Sequence, residues 1–162
     1  MSEAQRLADQ LTRYFVKNTG VFLSFSDATD DLTAAQALHV PQEKFNSVWG
    51  VVNHVCYWIE FSLLTIQGSQ AQPETPGGAT GGWHTPESAD DAAWQTLRAR
   101  TISLNTQLGE ALAALNDEQL HTSVGRWNQT PYEVVASIVA HNSYHTCEII
   151  SLRHMQGLWL KA

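Results

Sequence analysis

The sequence predicts an all-α fold, a four-helix bundle with two long connections, formed by a single domain over residues 1–162. Three observations carry that prediction. Four long stretches, 2–18, 46–68, 88–115 and 130–157, place apolar residues at the three- and four-residue spacing of a helix. Most of them open on a residue that caps helices and close near a glycine. No stretch alternates apolar and polar residues convincingly, as a half-buried strand would.

Ser2 and Gln5 make a capping box for the first helix, and Leu7, Leu11, Tyr14 and Phe15 give it one apolar stripe. It should run to about Asn18, with Gly20 ending it. Residues 21–46 form a long connection. Within it, LTAAQALHV predicts a short helix capped by Thr33 and stopped by Pro41, whose ring removes a backbone donor. The second long helix starts at Asn46 or Ser47 and ends at Gly68. It is apolar almost all round, so it should be buried on most sides. One of its faces carries Val51, His54, Trp58, Phe61 and Thr65.

Residues 69–87 hold four Gly and three Pro, which predicts a loop without regular structure. Loops of that length are usually functional or mobile. Trp83 and His84 stand out in it; folding over a pocket is one role for them, and a packing anchor is the expected one. Ser88 with Asp91 should cap the third long helix. Trp94, Leu97, Thr101, Leu104, Leu108, Ala111 and Leu115 then mark a bundle seam. Asn116 to His121, NDEQLH, predicts a short capped turn of helix. It resembles the earlier LTAAQALH segment, and each precedes a long helix that carries histidine, a hint of a repeated design. Gly125 to Gln129 leads into the last helix, which has the fullest set of end signals. Thr130 caps it, Pro131 fits its first position and Glu133 completes a capping box. Arg153 and His154 occupy its last turn, with Gly157 just beyond.

Composition narrows the partners. The formal net charge is −7 and no Lys/Arg cluster occurs, which argues against nucleic acid and against anionic membranes, since both call for basic patches. No apolar run reaches the length of a membrane span. The polar N-terminus, MSEAQRLADQ, does not read as a signal peptide, so a cytoplasmic location is expected. Cys56 and Cys147 sit among apolar residues on separate helices and are expected to be buried free thiols. Six Trp and only 15% charged residues predict exposed apolar surface and a homodimer.

The chemistry concentrates on the last helix. His141 and His145 are four residues apart, so they share a face one turn apart, and Glu148 falls on nearly the same face. Such a pair alone is a weak signal, because core and surface histidines produce it more often than metal sites do. Here Ser137, His141, Asn142, His145 and Glu148 form a polar cluster in a largely apolar helix, and buried polar groups require partners. His54 on the second long helix would supply a third imidazole if the two helices are neighbours. Three neutral imidazoles suit a divalent ion and leave positions for water or substrate, and a bound water becomes acidic near neutral pH. Glu148 is then a hydrogen-bond acceptor behind a ligand or a fourth ligand. Cys56 and Glu60 point away from the face of His54, and His39, His84, His121 and His154 lie in loops or at helix ends and are read as surface residues.

Two blocks, NSVWGVVNHVCYWIE at 46–60 and TPYEVVASIVAHNSYHTCEIISLRHMQGLW at 130–159, resemble the DinB-like (damage-inducible protein) superfamily. These are metal-binding four-helix bundles that include thiol-dependent S-transferases. The family's pattern of one His on the second helix and His-x-x-x-His on the fourth falls on His54, His141 and His145. The resemblance implies a divalent metal, zinc or nickel, and often a dimer. The expected function is a metal-dependent enzyme acting on a small molecule, by thiol-dependent S-transfer or by hydrolysis, with a low-molecular-weight thiol as a candidate co-substrate. The alternative is a non-catalytic metal-binding or stress-response protein.

Overall fold

In the computed structural model, which describes residues 1–17 and 19–160, local end signals and apolar stripes produce seven α-helices among the described residues. They are α1 (Glu3–Val16), α2 (Phe25–Thr29), α3 (Ala34–Leu38), α4 (Val48–Ile66), α5 (Asp91–Ala113), α6 (Asp117–Leu120) and α7 (Pro131–Met155). Capping boxes form at Ser2–Gln5 and Thr130–Glu133, as the sequence predicts, and the caps at Thr33 and Asn116 prove to be capping boxes too, closed by Gln36 and Gln119. The expected end of the first helix near Asn18 lies outside the described residues. The only β-type pairing among the described residues is an isolated bridge between Val124 and Gln129.

Two end assignments change. The cap of α5 is Asp90, whose carboxylate accepts from the Ala93 amide, and not Ser88. Asp91 accepts instead from the Ala34 amide at 2.8 Å, tying the start of α3 to the start of α5. The 21–46 connection also contains α2, which a Ser24–Asp27 capping box opens.

The four long helices pack as a bundle: α4 lies against α5 and α7, and α1 against α5 and α7. Buried Val51, Val52, Val55, Ile59, Trp94, Leu108, Leu112, Ile149 and Leu152 fill the interior. At roughly 25 cal/mol per Å² of apolar area removed from water, this burial is the main stabilising term. The short helix α2 is held by two buried arginines. Arg153 of α7, 1% exposed, donates to the Ala28 carbonyl and to Asp31, and Arg98 of α5 donates to Thr29 and Asp30. No helix of the described residues is long and apolar enough to cross a membrane.

The cysteines differ. Cys56 is buried as expected and faces α5, where Arg100 donates to its sulfur. Cys147 is exposed, because the face of α7 that packs inward carries His145, Ile149 and Leu152 instead.

Candidate metal centre

Neighbouring α4 and α7 bring His54, His141 and His145 together, with one ring nitrogen from each lying within 4.8 Å of the others. His54 and His145 are 8% and 4% exposed, and His141 is half-buried. The i, i+4 spacing brings the two α7 imidazoles edge to face at a centroid distance of 4.5 Å, and His54 meets them from α4 at 5.1 and 4.8 Å.

The hydrogen bonds of the rings set their tautomers. His54 Nδ1 lies 2.6 Å from the Gly81 carbonyl, which can only accept, so Nδ1 carries the proton and Nε2 the lone pair. His145 Nδ1 lies 2.7 Å from Glu148 Oε2. That bond, assisted by Asn46, holds the Glu148 carboxyl below the usual carboxylate range, so it is ionised and accepts from His145. That bond puts a proton on Nδ1 and leaves Nε2 as the atom His145 can offer a metal, and Nε2 is buried with no hydrogen-bond partner among the described residues. His141 Nε2 stands 3.1 Å from His54 Nε2. Burial pushes the His54 imidazole below its ordinary range and His141 down to about 4. Both rings are neutral at neutral pH, the form that binds metal.

This donor set fits a divalent cation. An unpartnered buried nitrogen has a free-energy cost that a cation removes. The 3.1 Å between the Nε2 atoms of His54 and His141 is close to the about 3.3 Å that two nitrogens span across tetrahedral zinc with bonds of about 2.0–2.1 Å. The Nδ1 atoms face the kind of acceptor that orients metal-binding histidines: a carbonyl at His54, a carboxylate at His145 and, at 3.3 Å, the Asn142 amide oxygen at His141. Glu148 bonds to His145 Nδ1 in this arrangement.

The 69–87 segment completes the site, and its organisation was not legible in the sequence. It forms two short 3₁₀ turns, 76–78 and 80–82, and then lies along α4. Asn53 donates to the His84 carbonyl at 2.7 Å, and the Ser47 and Thr85 hydroxyls pair at 3.1 Å. Gly82 has φ +77°, and a Cβ there would sit 2.5 Å from Tyr57 Cβ and 2.9 Å from the Asn53 carbonyl. Only glycine lets the loop come this close, which places the Gly81 carbonyl on His54. Trp83 then stacks on the His54 ring at 3.9 Å and 17°. The tryptophan covers the site, which is more than the packing anchor expected of it. Tyr144 also packs on the cluster, its ring centroid 4.2 Å from that of His145. His39 and His121 are exposed as expected, whereas His84 and His154 are half-buried, His154 by stacking on Trp159.

Two cavities flank this region. The larger, ≈ 710 Å³, opens beside Arg13, Tyr14 and Lys17 and touches none of the three histidines. The smaller, ≈ 260 Å³, is bounded by His141 itself.

The geometry agrees with the comparisons. The sequence profile of the DinB superfamily matches residues 24–149, a span that includes all three histidines. A crystal structure of a conserved protein from Enterococcus faecalis is similar over 96% of this chain and 97% of that one, with a TM-score of 0.62 and 13% sequence identity, a likeness of fold alone. No curated protein matches the chain in sequence.

Proposed function

Since the chain belongs to the DinB superfamily, we propose that it is a divalent-metal-dependent enzyme acting on a small molecule, with His54, His141 and His145 as the metal ligands. The observation that supports this most is the unpartnered, buried Nε2 of His145 beside two further Nε2 atoms. Gly81 and Glu148 hold the rings with their lone pairs turned inward. Trp83 and Tyr144 pack on the cluster and restrict water there. Three protein ligands leave coordination positions open for substrate. A bound ion would supply Lewis acidity and lower the pKa of a nucleophile placed on it. Transfer of a thiol to an electrophile and hydrolysis are both reactions that such a site can run. Zinc and nickel suit the imidazole donors, a low-molecular-weight thiol is the proposed co-substrate, and a homodimer is the proposed assembly.

Elemental analysis of protein purified without a histidine tag tests the metal. The expected result is one divalent ion per chain, and protein that takes up none when dialysed against zinc or nickel would overturn the reading. Turnover with paired thiols and electrophiles tests the enzyme. A metal-loaded protein that converts no pair would instead favour the sequestering role.

A further inference from the structure

We propose that the ≈ 260 Å³ cavity beside His141 seats a neutral, flat aromatic group of the substrate, packed against the aromatic wall that Trp58 and Trp127 form together. This inference deepens the metal-enzyme reading and rests on it for the chemistry, although the cavity's selectivity can be measured separately.

The argument starts with the walls. Trp58 of α4 stands 6.2 Å from His141 and 6.1 Å from Trp127, and Phe61 stands 4.8 Å from Trp127. An aromatic surface thus runs without a break from the histidine cluster to the 124–129 turn. Aromatic faces favour other rings in offset or edge-on contact, beyond what their buried area gives. The turn is fixed in place, so Trp127 is a wall and not a passing side chain. Val124 donates to the Gln129 carbonyl at 2.8 Å, and Gly125, at φ +67°, lies so close to α4 that a Cβ would meet Thr65 Cγ2 at 2.7 Å.

Charge argues against an anion. No Lys, Arg, Asp or Glu lines the cavity among the described residues. An anion taken into such a space would lose hydration without gaining a counter-charge. The net charge of −7 further opposes an anionic ligand.

The remaining polar groups define the rest of the ligand. The Ser62 and Thr65 hydroxyls donate to the carbonyls of Trp58 and Phe61 in their own helix. Exposed Ser137 and half-buried Gln129 bring a hydroxyl and a carboxamide to the cavity lining. They suit an uncharged polar group such as an amide or a carbonyl. A few such groups in an otherwise apolar cavity are what orient a small molecule. A substrate seated this way places one end against His141, at the open side of the histidine cluster. A carboxylate-bearing thiol would have to approach from outside this cavity.

Binding of three probes to the full chain tests this: benzamide, benzoate and cyclohexanecarboxamide. Saturation-transfer and titration NMR give the affinities, with metal-loaded and with chelator-treated protein. In chelator-treated protein, where no ion can attract the carboxylate, benzamide should bind at least tenfold more tightly than benzoate and severalfold more tightly than cyclohexanecarboxamide. Trp127→Ala, at a side chain 54% exposed and so outside the core, should weaken benzamide about tenfold in both forms, whereas Trp159→Ala should not. Equal binding of benzamide and benzoate, or a Trp127→Ala variant with unchanged benzamide affinity, would overturn the proposal. If the protein holds no metal and benzamide still binds with this pattern, the metal reading fails and the cavity assignment stands.

Discussion

Replacing Gly82 with Ala tests how the 69–87 segment serves the histidine cluster. The new methyl group would lie 2.5 Å from Tyr57 Cβ and 2.9 Å from the Asn53 carbonyl, and at φ +77° the residue itself would be strained. The left-handed backbone costs an L-residue about 1–2 kcal/mol, and overpacking against a helix adds about 1–3 kcal/mol. Opposing this are the contacts that seat the loop: Gly81 on His54, His84 on Asn53 and Thr85 on Ser47. Each such hydrogen bond contributes about 0.5–1.5 kcal/mol net. The two sums are comparable, so the loop should lift from α4 while the bundle stays folded. Helicity should be unchanged. The melting temperature should fall by several degrees, since 1 kcal/mol shifts it by roughly 2–4 °C in a chain of this size. Without the Gly81 carbonyl His54 loses its orientation, and loss of such a partner typically weakens metal affinity by about 10–100-fold. Competition against a chromophoric chelator measures that affinity. Gly78→Ala is the control: its φ is +68°, yet nothing lies within 4 Å of the added Cβ, so it carries the backbone strain without the clash. Wild-type metal affinity in Gly82→Ala, or an equal loss in Gly78→Ala, would refute the reasoning.

Other perturbations follow from the same geometry. Glu148→Gln keeps the shape but removes the charge that accepts from His145, so metal affinity should drop about tenfold with helicity intact, read by the same chelator competition. The stability of metal-free protein should decrease as pH falls below about 6.5, the ordinary value for histidine, and continue to decrease down to about 4. The sign follows from burial: the folded state keeps His54 and His141 neutral, while the unfolded chain takes up those protons. Denaturant melts at pH 7, 5.5 and 4 check this, and His141→Asn should flatten the slope; because that ring is only partly buried, its share is on the order of 1–2 kcal/mol. Sedimentation at micromolar concentration should give a dimer, in keeping with exposed Trp127, Tyr144 and Trp159, and a monomer would remove that proposal.

How much of this was legible in the sequence depended on how local the determining interaction is. The caps at Ser2, Thr33, Asn116 and Thr130 were readable because a capping box closes within four residues. The His141–His145 pair was readable because helical spacing alone puts the two rings on one face. His54 could be paired with them only through the arrangement of α4 against α7, which the apolar faces suggest but do not encode. The cap of α5 was misassigned because Ser88, Asp90 and Asp91 all have capping side chains, and the choice is settled by Ala34, far away in sequence. Cys147 was misplaced because its apolar neighbours Ile149 and Ile150 suggested a buried face. Trp83 over His54 was illegible for a backbone reason: it needs positive φ at Gly81 and Gly82 and a close approach to Tyr57, neither of which composition reveals. The buried roles of Arg98 and Arg153 were missed as well, because their partners lie on α2 and at its end.

The most direct test of the central claim is metal occupancy across single histidine variants, measured by elemental analysis of untagged protein together with the melting temperature before and after metal addition. Wild-type protein should bind one ion per chain. With free metal a thousandfold above the dissociation constant, binding to the folded state should stabilise it by about 4 kcal/mol. His54→Ala, His141→Ala and His145→Ala should each lose most of the metal and most of that gain, while His39→Ala and His121→Ala should lose neither, being exposed and remote from the cluster. Full occupancy in His54→Ala alongside loss in His141→Ala would contradict the account, because the ion would then not join α4 to α7.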